Sequence, residues 1–266
     1  MSLLLLLVLA AQHDTAAISR YVRTELERQR IPGLSLAVLR GDSIVLSRGY
    51  GFANVELRVP ASDSTVYQSG SMGKQFTAAL VEMLVEQGRL RLDDSIVRWF
   101  PEGANVWPAV TVRRLLTHTA GIAEYTDSTF DYRTDYTEDE PVKFAASRPL
   151  DFPPGERWSY SNTGYVLLGA LIRRVSGVFY GDLLRDSVFG PLGMRDSRVI
   201  TEADIVPNRA ASTGCDVVRP REVFYLDAQI AYVCHARSAR PSGGGAVVTV
   251  FYTSGWRAAG VEGYGY

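Results

Sequence analysis

The stretch QSGSMGKQFTAALVEMLVEQGRL, residues 68–90, predicts a helix with a cation at the wrong end. Phe76, Ala79, Leu80, Met83 and Leu84 recur at the three-and-four spacing of one apolar stripe, while Glu82, Glu86 and Gln87 fall largely off it. Gly88 is suited to closing the helix, and Gly70 with Ser71 offers a permissive turn and a capping hydroxyl, which sets Ser71 at or near the helix start. Backbone N–H groups of a first turn already present partial positive charge, so a Glu or Gln belongs three residues after a capping serine. The chain has Lys74 there instead, a choice that costs ~0.3–1 kcal/mol if the side chain is exposed.

Composition sharpens the oddity. Of 28 basic residues only Lys74 and Lys143 are lysines. GC-rich coding explains such a bias without reference to function. Yet an arginine keeps its proton in a protein, whereas a buried lysine can be driven to the neutral amine and act as a base. One of the two lysines lies a single helical turn from a serine.

On these residues the chain resembles the penicillin-recognising serine hydrolases. Ser71-Met72-Gly73-Lys74 fits their S-x-x-K signature, and Tyr160-Ser161-Asn162 matches the Y-x-N element of the branch containing class C β-lactamases, D-Ala-D-Ala carboxypeptidases and related esterases. LLTHTAGI (115–122) and PPGERWSYSNTGYVLLGALI (153–172) are similar to that branch over many consecutive residues, and the resemblance runs from about residue 15 to 211. It implies catalytic roles for Ser71, Lys74 and Tyr160 and a substrate-binding role for Asn162. Ser71 would be the nucleophile, activated by Lys74, which projects from the same side of the helix three residues later. Burial and the helix N-terminus both favour the uncharged amine that a base requires. The Ser71 backbone N–H would be one oxyanion donor. By the resemblance Tyr160 is the second proton-handling group, and Asn162 hydrogen-bonds a substrate amide. In the plainer reading Tyr160 is a packed aromatic and Asn162 caps the following helix. His118 is read as a buried, hydrogen-bonded structural residue.

Length and charge bound the alternatives. A chain of 266 residues, 46% hydrophobic and 21% charged with a formal charge of −1, describes an ordinary soluble globule able to bury a substantial core. No basic patch suggests nucleic acid, and DYTEDE (135–140) reads as a solvated loop. His13, His118 and His235 share no metal-ligand spacing, and no glycine-rich phosphate loop follows a strand, so neither a metal nor another cofactor is implied. Residues 2–11, SLLLLLVLAA, are too short for a membrane span but suit the apolar part of a signal peptide in 1–11, although a positive n-region is missing. Export to the periplasm or beyond is therefore the expected localisation. The expected partner is a small molecule or peptide with an amide, lactam or ester carbonyl.

The order of predicted elements gives an α+β fold. Ile18, Tyr21, Val22 and Leu26 mark a first helix; GLSLAVLR and SIVLSRGYG read as two strands around a tight turn at Gly41-Asp42. From 71 to about 195 the periodic segments are helical. The resemblance implies an antiparallel sheet flanked by helices, its first strands from the N-terminus and its last from the C-terminus, with a large all-helical subdomain between. The hydrolase domain is set at 12–211.

Residues 212–266 are unassigned. They contain no K-T-G, K-S-G or H-x-G triplet, with which the family closes its site; Thr253-Ser254-Gly255 follows a strand-like AVVTVFY but lacks the cation. Cys215 and Cys234 fall here, and nothing requires them to pair. The expectation is a tail altered by a shifted frame or truncation, or else divergent, with C-terminal strands of the sheet missing. The functional expectation is a serine hydrolase working through a Ser71 acyl-enzyme on a β-lactam, a D-Ala-D-Ala peptide or an ester. Its rivals are an inactive penicillin-binding or sensor module and a nonfunctional gene fragment.

Overall fold

The computed structural model describes residues 15–41, 43–125, 137–200, 204–211 and 247–252. The expectations for residues 1–11, Asp42, the two cysteines and Thr253-Ser254-Gly255 lie outside them. The described residues fall into two compact units, one formed by residues 15–68 with 206–211 and 247–252, the other by residues between 69 and 205.

The first unit is a sheet covered by a helix. Strands β1 (Gly33–Arg40), β2 (Ser43–Asn54), β3 (Val59–Pro60) and β4 (Val247–Tyr252) are ordered β3-β2-β1-β4, with every pairing antiparallel. Arg40 pairs with Ser43 at the end of the β1–β2 ladder, on either side of the position predicted for the turn. A strand from the C-terminal tail is present beside β1, with Leu34 opposite Tyr252 and Leu39 opposite Val247. Leu34, Leu36 and Val38 alternate along β1 and pack with Leu46, Tyr50 and Leu26, the last from helix α1 (Thr15–Gln29). Ile18 and Val22 of α1 join that core as predicted. Tyr21 does not: it is 61% exposed, because a position next to Val22 on a helix turns away from the stripe.

The second unit is helical. Its helices are α2 (Lys74–Glu86), α3 (Val112–Leu116), α4 (Asp139–Ala146), α5 (Asn162–Ser176) and α6 (Tyr180–Leu184), with short 3₁₀ turns at Gly70–Gly73, Ile96–Arg98 and Pro101–Gly103. Helix α5 is the axis of the core. Leu167, Leu168, Leu171 and Ile172 are fully buried there against Leu80, Val81 and Leu84 of α2 and Leu115 of α3. At ~1.5–3 kcal/mol for each buried large aliphatic side chain, this cluster is the main reason that α2 and α5 hold a fixed relation. Helix α2 ends as predicted at Gly88, whose φ of 68° allows the Arg89 N–H to close on the Leu84 carbonyl.

The acidic run 135–140 departs from expectation in its described part. Glu138 pairs with Arg173 and Asp139 with Arg174, while Glu140 accepts the Thr137 N–H at 2.6 Å. These residues open α4 and tie it to the last turn of α5. Acidic side chains suit a helix start and basic ones a helix end, which a composition-based reading of a charged loop overlooks. Among the described residues no helix is long and apolar enough to cross a membrane.

Candidate active site

Ser71 lies in the 3₁₀ turn Gly70–Gly73, which runs directly into α2. The turn makes no side-chain cap bond, so the Ser71 hydroxyl is not used as the predicted helix cap. Lys74, the first residue of α2, occupies the buried face of the helix at 7% exposure, one turn before Thr77 and two before Val81. The buried face therefore runs through Lys74, Thr77, Leu80, Val81 and Leu84 and shares only Leu80 and Leu84 with the stripe read from the sequence, whose Phe76, Ala79 and Met83 are half-buried beside it.

Two irregular segments converge on this pair. Residues 118–121 and 151–159 run side by side, with the Asp151 N–H on the Gly121 carbonyl at 2.8 Å, Gly155 on Thr119 at 2.8 Å and Ser159 on His118 at 2.9 Å. Gly121 has a φ of 73°, and a Cβ there would stand 2.0 Å from the Phe152 carbonyl oxygen, so only glycine permits the approach. This pairing carries the chain to Tyr160 and then into α5. At the start of α5 the Ser161 hydroxyl accepts the Gly164 N–H at 3.0 Å, and the Glu124 carboxylate accepts the Asn162 N–H at 2.7 Å. The capping role entertained for Asn162 therefore belongs to Ser161 and Glu124. Its own side chain turns toward Lys74.

The four predicted residues meet. Tyr160 donates its hydroxyl to Ser71 Oγ at 2.6 Å, Lys74 Nζ donates to Ser71 Oγ at 3.4 Å, and Lys74 Nζ donates to Asn162 Oδ1 at 2.9 Å. Lys74 Nζ also stands 5.0 Å from the Tyr160 ring centre and 5.4 Å from that of Tyr165, contacts that suit an ammonium. Tyr160 is 44% exposed, so the serine and phenol oxygens are reachable while the lysine is covered.

Three neighbours were not identified from sequence as part of this cluster. Tyr165 donates its hydroxyl to the Leu116 carbonyl at 3.1 Å, and burial, with Tyr160 nearby, pushes its phenol above the ordinary range. It follows Asn162 by three residues on a helix, a spacing that could have revealed it. Glu124 lies in a loop and bears no local pattern. His118, read as structural, lies against the rings of Tyr160 and Tyr165 in tilted contacts, at ring-centre distances of 4.7 and 5.1 Å. Burial first, then the charge of Lys74, holds its imidazole below the usual value of 6.5.

The chain has a β-lactamase/transpeptidase-like α+β fold, with an antiparallel sheet in one unit and helices in the other; in the helical unit a hydroxyl, a covered amine and a phenol meet at Ser71 Oγ. The sequence profile of the Beta-lactamase family matches residues 18–251, extending past residue 211 into the tail. The chain belongs to the beta-lactamase family, a family of serine hydrolases that also relates it to penicillin-binding proteins. Penicillin-binding protein 4 of Amycolatopsis lactamdurans is 39% identical over 192 residues, covering 68% of this chain and 47% of that protein. The octameric penicillin-binding protein homologue from Pyrococcus abyssi is 32% identical with a TM-score of 0.63, over 75% of this chain and 48% of that one. D-amino acid amidase from Ochrobactrum anthropi SV3 is 31% identical with a TM-score of 0.62, over 71% and 54%. The chain spans about half the length of these relatives.

Proposed function

We propose that this chain is a serine acyl-transfer hydrolase that forms an acyl-enzyme on Ser71. The observation that carries the proposal is the convergence of the Tyr160 hydroxyl and the Lys74 amine on Ser71 Oγ. A serine hydroxyl needs a neighbouring group to accept its proton as it attacks, and here two such groups are within reach. The pair must hold one proton fewer than ammonium plus phenol; as Oγ bonds to the carbonyl carbon, the Ser71 proton fills that vacancy on the Lys74–Tyr160 pair, which then gives a proton to the leaving nitrogen or oxygen and returns to its starting state. Water attacks the ester so formed, giving up a proton to the same pair as Ser71 regains its own. Asn162 holds Lys74 from the other side and has an amide that a substrate carbonyl can meet. Penicillin-binding and D-amino acid amidase relatives support a substrate with a lactam, amide or ester carbonyl. Export, favoured by the apolar stretch 2–11, is part of the proposal and is tested by fractionating expressing cells.

The test is labelling of purified protein with a fluorescent penicillin and with a fluorophosphonate. Labelling that Ser71→Ala abolishes supports the proposal, whereas a label that persists on the alanine variant removes Ser71 from the mechanism. Turnover of a β-lactam, a D-Ala-D-Ala peptide, a D-amino acid amide or an ester then separates the substrate classes.

A further inference from the structure

We propose that His118 is a positioning residue that holds the Tyr160 hydroxyl on Ser71, and that it does so only as the neutral imidazole. Its kinetic consequence rests on the acyl-transfer proposal above, whereas the contact itself does not.

One residue brackets Tyr160 on every side that the chain offers. The His118 carbonyl accepts the Ser159 N–H at 2.9 Å, its Nδ1 accepts the Ser161 N–H at 3.2 Å, and its ring lies 4.7 Å from the Tyr160 ring at 35°. The residue before Tyr160, the residue after it and its own side chain are thereby tied to a single anchor. That anchor is itself fixed. The Tyr165 ring lies against it at 5.1 Å in a tilted contact, Trp158 meets it edge-on at 6.0 Å, and its backbone N–H closes on the Leu115 carbonyl at the end of α3 at 3.2 Å.

The backbone of His118 has a φ of 57°, a left-handed conformation that costs a β-carbon-bearing residue ~1–2 kcal/mol. Glycine or asparagine would take that conformation more readily, but a glycine would supply no acceptor for Ser161 and neither would supply a ring for Tyr160. The strain is thus offset by contacts, three of which hold Tyr160 and the residues on either side of it.

The Nδ1 contact requires a lone pair on that nitrogen. A proton there would face the Ser161 N–H, so donor would meet donor. The titratable groups around the ring are Lys74 from α2, Tyr160 from the segment before α5 and Tyr165 from α5. Lys74 is the cation among them, and an imidazolium would add a second charge beside it. Burial and Lys74 both act to keep the ring neutral to a lower pH than usual. Acidification below that point breaks the Ser161 bond and releases the Tyr160 segment from one of its three ties.

The experiment compares the wild-type chain with His118→Asn and His118→Ala by the rate of fluorophosphonate labelling from about pH 4.5 to about pH 8. Asparagine tolerates the left-handed backbone and has an oxygen to accept the Ser161 N–H, yet does not titrate. His118→Ala is expected to slow labelling by about 100-fold near neutrality, the order of effect of a displaced catalytic group, with His118→Asn between it and wild type. Wild type should lose rate on the acid side, and His118→Asn should lose that acid limb relative to its own plateau. Equal rates for all three chains, or a wild-type acid limb retained by His118→Asn, would overturn the proposal. In parallel, the Tyr160 ring is followed by NMR of ¹³Cζ-tyrosine protein, assigned with Tyr160→Phe. Its signal should move with the His118 titration in wild type and stay flat in His118→Asn; a signal indifferent to that titration overturns the proposal. If wild type does not label at all, the acyl-transfer proposal falls, and the NMR result still decides the role of His118.

Discussion

Replacing Tyr180 by phenylalanine should cost more stability at neutral pH than at alkaline pH. Tyr180 opens α6, is buried, and shares a 2.7 Å hydrogen bond with Thr77, which lies one turn past Lys74 on the buried face of α2. Burial pushes its phenol from 10.0 up to about 12, the Thr77 bond opposing only in part. The folded state therefore prefers the protonated phenol. Its contribution is fully present below pH 10.0, the unfolded value, and is lost as pH rises through about 12. At about 1.4 kcal/mol per pH unit the loss totals roughly 3 kcal/mol, half of it by pH 11. Near pH 8 the variant should be less stable by ~1–3 kcal/mol, because the Thr77 hydroxyl keeps its burial and loses its partner. Urea unfolding followed by tryptophan fluorescence at pH 8 and at pH 11 measures the gap between the two chains. Taking the difference cancels every other titrating group. The gap should shrink by ~1.4 kcal/mol over that interval. A gap that stays constant would refute the assignment of a buried, neutral Tyr180.

Two further substitutions test the supports of the site. Gly121→Ala should destabilise the chain by ~3 kcal/mol or more, since it combines a φ of 73° with a Cβ placed 2.0 Å from a carbonyl oxygen; thermal unfolding reads the loss, and a shift within error would show that the 118–121 segment relaxes freely. Glu124→Ala removes the acceptor of the Asn162 N–H and of the Thr163 hydroxyl, and should cost ~1–2 kcal/mol in urea unfolding together with a slower fluorophosphonate reaction. Lost stability with an unchanged labelling rate would show that the position of Asn162 does not depend on this carboxylate.

The site was legible where chemistry follows local spacing. Ser71 and Lys74 are one turn apart on a helix whose apolar stripe could be read directly, and Tyr160 and Asn162 came from the resemblance of a neighbouring motif. Distances of 2.6 to 3.4 Å among them are the kind of detail that no periodicity encodes. Of the missed contributors, Tyr165 is local to Asn162 on the same helix, while the other two act across the chain. His118 meets Tyr160 from 42 residues away and Glu124 meets Asn162 from 38, through a backbone pairing of two irregular segments that have neither strand alternation nor helical period. In the fold, Ile18, Tyr21, Val22 and Leu26 mark the first helix correctly, although Tyr21 lies off its buried face. The acidic run at 135–140 was read by its charge rather than by its place at a helix start. The tail gave no periodic signal apart from AVVTVFY, and the strand at Val247–Tyr252 is the part of it that pairs with β1.

The pairing of β1 with β4 has a consequence for the order of assembly. Residues about 200 positions apart must find each other before the inner strand of the sheet has both its neighbours, a closure that is slow because of the chain entropy it removes. Among the described residues the helical unit is a single stretch within 69–205, all of it synthesised before β4. During synthesis, the cluster around Ser71 can thus consolidate while β1 still waits for its last partner, and chaperone demand should concentrate on that waiting strand.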